Sequence, residues 1–110
     1  MANTYKVLGQ TNPTTTDNAN LYTVPSGTAA VISSLVVTNV TGTEALVNVF
    51  IRQNGASATT SNSILYEVPV APYTVAAFTL GITMAAGDII TVRSATANAV
   101  AFHAFGSEVV

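Results

Sequence analysis

The sequence predicts an all-β fold: a single-domain antiparallel β-sandwich of about eight strands, with a jelly-roll or Ig-like topology. A chain of 110 residues has the size of one domain, which we take to span 1–110. Short apolar runs rich in β-branched residues recur along it and are separated by Gly, Pro and Asn. No apolar pattern with the 3.6-residue period of a helix persists, so the strand interpretation is preferred throughout.

In chain order, the predicted strands cover residues 5–8, 21–24, 29–40, 45–53, 64–70, 75–80, 88–94 and 100–105. Residues suited to turns fill most of the breaks between them, as at 25–27, 41–43, 54–55 and 70–72. The alternation of side chains between two faces is clearest over 45–53, where every second residue is aliphatic and one face is therefore apolar. The other face of this strand mixes Arg52 with Phe50, so we expect it to be only partly wet.

Two polar stretches, 11–20 and 55–63, are predicted to be loops. With the loop at 11–20, residues 1–20 are predicted to form an N-terminal arm followed by a loop. Such an arm can pair with its own sheet or with the edge of a neighbouring molecule. We expect it to pair with its own sheet.

The surface is predicted to be almost free of charge. Only three basic and five acidic side chains are present, while 49% of residues are hydrophobic; an ordinary soluble domain has roughly 25% charged residues. A surface of this kind is poorly protected against association, so we expect part of it to face protein. The three cations, Lys6, Arg52 and Arg93, are too few for phosphate contacts, which argues against nucleic-acid binding.

Other classes are also excluded by composition. Without cysteine there is no disulfide, thiol nucleophile or zinc–thiolate site. The first residues lack the basic and apolar segments of a cleaved export signal, and no apolar run approaches the length of a membrane span. We therefore expect neither export by a cleaved signal nor a membrane-embedded segment.

The sequence predicts no enzyme, metal or cofactor. Its single histidine, His103, lies in an apolar strand, and no serine has the surroundings of a catalytic nucleophile. The acidic residues are expected to be solvated or bonded to local turns. They are Asp17, Glu44, Glu67, Asp88 and Glu108.

Five residues are the candidates for contacts with other protein chains. Arg52 and Arg93 lie in predicted strands among apolar neighbours, and Arg is enriched at the centres of interfaces. Tyr5 and Lys6 belong to the N-terminal arm, and His103 is expected on a sheet face or at an interface.

Several segments together carry a resemblance to a known group of proteins. They are the opening Ala-Asn-Thr-Tyr-Lys-Val-Leu-Gly-Gln of 2–10, the Leu-Tyr-Thr-Val-Pro of 21–25, the strand 30–39, and the closing segments 80–83, 88–92 and 104–106. The chain resembles small virion proteins of tailed bacteriophages, notably those that infect cyanobacteria. The similarity spans nearly the whole chain, and its motifs are strand and turn patterns without an active-site signature.

The resemblance implies a β-sandwich capsid cement, or decoration, protein. Such a protein is made in the host cytoplasm and sits on the outer capsid surface, where it bridges and stabilises neighbouring major capsid subunits. Its partners would be the major capsid protein and further copies of itself, with a homotrimer as the expected form. Two alternatives stay open: a small tail, neck or baseplate component, and a carbohydrate-binding module that stacks sugars on Tyr22, Tyr66 or Tyr73.

Overall fold

Residues 3–110, which the computed structural model describes, form nine strands and two short 3₁₀ turns. The strands are β1 (Asn3–Thr11), β2 (Ala19–Thr23), β3 (Ala29–Asn39), β4 (Ala45–Arg52), β5 (Ser63–Val70), β6 (Val75–Phe78), β7 (Ile82–Met84), β8 (Ile89–Ser94) and β9 (Val100–Val109). The 3₁₀ turns cover Gln53–Gly55 and Thr60–Asn62. Within this part of the chain, no helix has the length and apolar character to cross a membrane.

The strands form two antiparallel sheets that pack face to face. Sheet A has the order β1-β9-β3-β6, with β7 also paired to β3, and sheet B has the order β2-β8-β4-β5. Strands β1 to β4 alternate between the sheets, and the returning strands β8 and β9 insert beside β2 and β1. This is jelly-roll order, with β7 as a short additional strand. An Ig-like order would instead keep the first two strands in one sheet.

The core lies between the two sheets and follows the pleat. In β3 every second residue up to Ile32 is buried, and after a bulge the buried set continues with Leu35 and Val37. Phe102 of β9 is the largest fully buried side chain. The two sheets therefore bury one continuous apolar layer, as their alternating sequence patterns predict.

The predicted all-β sandwich is confirmed, and a strand stands at each of the eight predicted positions. The first and last strands are longer than predicted, and the 55–63 loop contains the second 3₁₀ turn. The short strand β7 was missed. Of the segment predicted as an arm, residues 3–11 form β1, which pairs with β9 of its own sheet, and residues 1 and 2 lie outside the described part of the chain.

Buried polar side chains fix the turns between strands. Asn39 donates to the carbonyl oxygens of Thr43 and Val70, and its Oδ1 accepts from the backbone amide and hydroxyl of Thr41. Asp88 accepts the amides of Asn54 and Ala85, at 2.8 and 2.9 Å. Both side chains thus tie a turn to a distant part of the chain.

Candidate interaction surface

The outer face of sheet A, the side turned away from the core, is a broad surface whose outward-pointing residues in the described strands carry no charge, although Lys6 borders it at one hollow. The register of the described strands defines its members, which alternate with the core positions. They are Asn3, Tyr5, Val7 and Gln10 of β1; Ala101, His103, Phe105, Ser107 and Val109 of β9; Ala29, Val31, Ser34, Val36 and Thr38 of β3; Val75 and Ala77 of β6; and Thr83 of β7.

Large apolar side chains are exposed on this face. Tyr5 is 81% exposed, Val75 60% and Val7 49%. An open hollow of about 420 Å³ lies near Tyr5, where Gly106 contributes no side chain and β3 has a bulge after Ile32. The hollow is lined by Tyr5, Lys6, Val31, Ser33, Phe105, Gly106 and Ser107.

His103 is held on the same face by its neighbours. Gln10 Nε2 donates to His103 Nδ1 across the β1–β9 pair at 3.0 Å. The imidazole also stacks on the ring of Phe105, with centroids 6.2 Å apart and planes 9° from parallel. The ring is therefore part of a packed surface row.

Three polar side chains, Lys6, Tyr22 and Glu108, form a bonded group at the side of the sandwich where β1 and β2 are the edge strands. Lys6 Nζ lies 2.8 Å from Glu108 Oε1, and the Tyr22 hydroxyl donates to Glu108 Oε2 at 2.5 Å. The hydrogen bonds from Lys6 and Tyr22 hold the pKa of Glu108 below its ordinary value, although burial opposes this shift. Burial and the bond to Glu108 raise the pKa of Tyr22 well above its ordinary value. The group links β1 and β9 of sheet A to β2 of sheet B.

The outer face of sheet B, by contrast, is buried at its centre, on the middle strands β4 and β8, while the edge strand β5 keeps exposed residues such as Tyr66. Asn48 and Thr91 are each 1% exposed and Phe50 is 7% exposed, although all three point away from the core between the sheets. The Arg52 guanidinium donates to the carbonyl oxygens of Gly55 and Ala56 in the following loop. Loop segments of the chain itself thus pack on this face.

The other arginine also has internal partners. Arg93 Nε donates to the carbonyl oxygen of Thr16 at 2.9 Å, and its Nη1 lies 3.8 Å from a carboxylate oxygen of Glu67. Arg52 Nη1 adds a bond to Asn20 Oδ1. Arg93 therefore fastens the loop between β1 and β2 to sheet B, whereas Arg52 bonds across sheet B from β4 to β2.

The five candidate contact residues divide between the two sheets. Tyr5, Lys6 and His103 lie on the paired strands β1 and β9 of sheet A, where Tyr5 is opposite Ser107 and His103 is opposite Gln10. Arg52 and Arg93 lie on sheet B, where they hold loops of the same chain.

The titratable side chains are dispersed. In residues 3–110, no three His, Asp or Glu side chains come close enough to hold a metal ion together. Asp88 is a turn residue, as its sequence position predicts, and both its oxygens accept backbone amides. Tyr22, one of the three tyrosines considered for sugar stacking, is buried and hydrogen-bonded to Glu108, so its ring is closed to a ligand.

No protein-family model, curated protein or solved structure matches this chain.

Sequence reasoning missed most of the hollow. Val31, Gly106 and Ser107 were not singled out, because only the register of β1, β9 and β3 brings them beside Tyr5. The signal that was available is the two-residue period of the last strand, which places His103 and Phe105 on one side.

Proposed function

We propose that this chain is a structural protein of a bacteriophage virion, a cement protein that binds the outer surface of the capsid and bridges neighbouring major capsid subunits. The observation that carries the proposal is the open, uncharged outer face of sheet A. The sequence resemblance to small virion proteins adds to it. By analogy between folds, the jelly roll is also used by viral capsid domains.

The size of the face suits protein binding. Strand β3 has 11 residues, which corresponds to about 36 Å at 3.3 Å per residue, and four strands at ~4.8 Å give an area on the order of 700 Å². A standard protein interface buries roughly 800 Å² on each partner. A face without charge can be buried with no penalty for desolvating ions.

The mechanism we propose is cooperative and needs no covalent chemistry. Each copy would contact more than one capsid subunit, and many weak contacts would together oppose the pressure of packaged DNA. The resemblance implies a homotrimer for this task, which the grouping of copies on the bound capsid, seen by electron cryomicroscopy, would test.

The test is reconstitution with capsids that lack this protein. Purified protein should bind them stoichiometrically and raise the temperature at which they release DNA. Val31→Lys and Val75→Lys place a charge on the outer face of sheet A and should weaken binding at least about tenfold. Val40→Lys is the matched control, since Val40 is 47% exposed and follows β3 in a turn. Absence of binding by the unaltered chain would refute the proposal.

Electron cryomicroscopy of the intact particle distinguishes the capsid from the tail. Density repeated over the shell supports a cement protein. Density confined to the tail, neck or baseplate would assign the same outer face to a different virion partner.

A further inference from the structure

Strand β1 is the longest edge strand in the described part of the chain. Sheet A ends at β1 on one side and at β6 and β7 on the other, and sheet B ends at β2 and β5. β1 has nine residues, β6 four and β7 three. Short strands make poor templates for another chain, so β6 and β7 are protected by their length.

The edges of sheet B carry other protections. β5 contains Pro69 and has Glu67 at a φ of 51°, which interrupts a regular edge. β2 has five residues and a register shift between Asn20 and Tyr22. Neither edge offers a continuous row of backbone groups.

The first half of β1 lacks these features. Residues Asn3 to Val7 are all exposed and pair in unbroken register with β9. The register shift of β1 comes only after Val7, and at Gly9 the backbone of Leu21 approaches closely. The free edge is therefore the five-residue segment 3–7.

Lysine on an edge strand usually discourages pairing with another chain, because its charge would be buried. Lys6 is the single charged residue of this segment, and its ammonium group lies 2.8 Å from Glu108 of the same molecule. The charge is thus neutralised within the molecule, and the edge keeps no net repulsion against an identical edge.

We propose that the segment 3–7 of β1, here called the β1 edge, pairs antiparallel with the β1 edge of a second copy about a two-fold axis. The two A sheets then form one continuous sheet. We take an identical copy as the partner because two copies of the same segment can pair antiparallel about a two-fold axis. The assembly is then complete with two molecules. The midpoint of the segment is Tyr5, which lies opposite Tyr5 of the second copy, so that two exposed rings form a cross-strand aromatic pair.

This contact is independent of the virion role proposed above. Alone it makes a dimer, and a trimer would need a different, heterologous contact. The outer faces of both A sheets stay open on the same side of the joined sheet, where they remain available to another protein.

Single-cysteine variants test the pairing directly, because the natural chain has no cysteine. Tyr5→Cys should form a disulfide-linked dimer under mild oxidation at least about tenfold faster than Tyr73→Cys, since directly opposite Cβ atoms lie about 5 Å apart. Tyr73 is the matched control, being 76% exposed against 81% for Tyr5. Thr4→Cys and Val7→Cys should be slower than Tyr5→Cys. Equal rates at all four positions would overturn the proposal.

Sedimentation equilibrium provides a second test. The unaltered chain should approach twice 11.3 kDa as its concentration rises. Tyr5→Lys adds an unpaired charge to the edge and should weaken dimerisation roughly tenfold, whereas Tyr73→Lys should not. A chain that stays monomeric at millimolar concentration refutes the pairing. Because no capsid is present, that result leaves the capsid proposal standing, and failure to bind capsids leaves this one standing.

Discussion

A buried amide stabilises a protein only while each of its polar atoms keeps a partner. Asn39 is 1% exposed and meets this condition with four hydrogen bonds to residues of its own turn and to Val70. Removing the amide would leave the carbonyl oxygens of Thr43 and Val70 without this donor.

We therefore expect Asn39→Ala to lower the free energy of unfolding by about 2–4 kcal/mol, as measured by urea denaturation. Asn12→Ala is the control, because Asn12 is exposed in the 11–20 loop, and it should change stability by less than about 0.5 kcal/mol. Equal effects of the two substitutions would contradict this account.

Protonation of Glu108 at acid pH should lower the free energy of unfolding. Its pKa lies below the ordinary value of 4.5, chiefly because Lys6 donates to the ionised form. A group with a lowered pKa stabilises the fold fully above its ordinary pKa, and the contribution is lost as the pH falls through the folded value. In thermal melts, Glu108→Gln should make the Tm depend less on pH below about pH 4.5. Glu44→Gln, at an exposed position, should leave it unchanged.

Ionisation of Tyr22 at alkaline pH should likewise lower the free energy of unfolding. Its pKa is raised above the ordinary value of 10.0 by burial and by Glu108. The contribution is therefore complete below pH 10 and declines as the pH rises above it, because the unfolded chain ionises first. Tyr22→Phe should remove this alkaline loss of stability. Tyr66→Phe, at a tyrosine 55% exposed, should retain it.

At the scale of the strands, two glycines allow the close packing of sheet A. A methyl group on Gly106 would overlap the carbonyl oxygen of Val31, and one on Gly9 would overlap that of Leu21. Both glycines lie next to a register shift, and β9 is the strand that joins β1 to β3. Backbone atoms cannot move aside as a flexible side chain can.

Gly106→Ala is therefore expected to destabilise the protein by at least about 2 kcal/mol, which a thermal melt would detect as a lowered Tm. Gly42→Ala is the control, because its new methyl group would only touch the ring of Tyr73 at ordinary contact distance. A similar Tm for both variants would show that β9 can shift to accept the side chain.

Much of the strand pattern could be predicted, because runs of β-branched residues broken by turn residues are local features. The three residues of β7 could not, since their strand character comes from pairing with β3. Phe50 was correctly expected on a partly covered face, but what covers it depends on loops distant in sequence. The Lys6–Glu108 pair joins opposite ends of the chain, so no local pattern reveals it.

At the scale of the molecule, the low number of charges limits the effect of salt. The described residues contain two ion pairs, and both involve partly exposed cations. Exposed pairs each contribute about 0–1 kcal/mol and are screened by salt. The free energy of unfolding should therefore change by less than about 2 kcal/mol between low salt and 1 M NaCl. A larger loss would mean that Lys6 and Glu108 stabilise the sandwich more than their exposure allows.

The two middle strands of sheet B, β4 and β8, carry buried side chains on both faces, whereas the outer face of sheet A is open. In a saturation mutagenesis scan, β3 should tolerate polar replacements at every second site, following its alternating burial. In β4, four consecutive residues from Val47 to Phe50 are buried, so intolerance there should be unbroken. A sequence library would thus distinguish sheet B, where substitutions are poorly tolerated, from the outer face of sheet A, where they are tolerated.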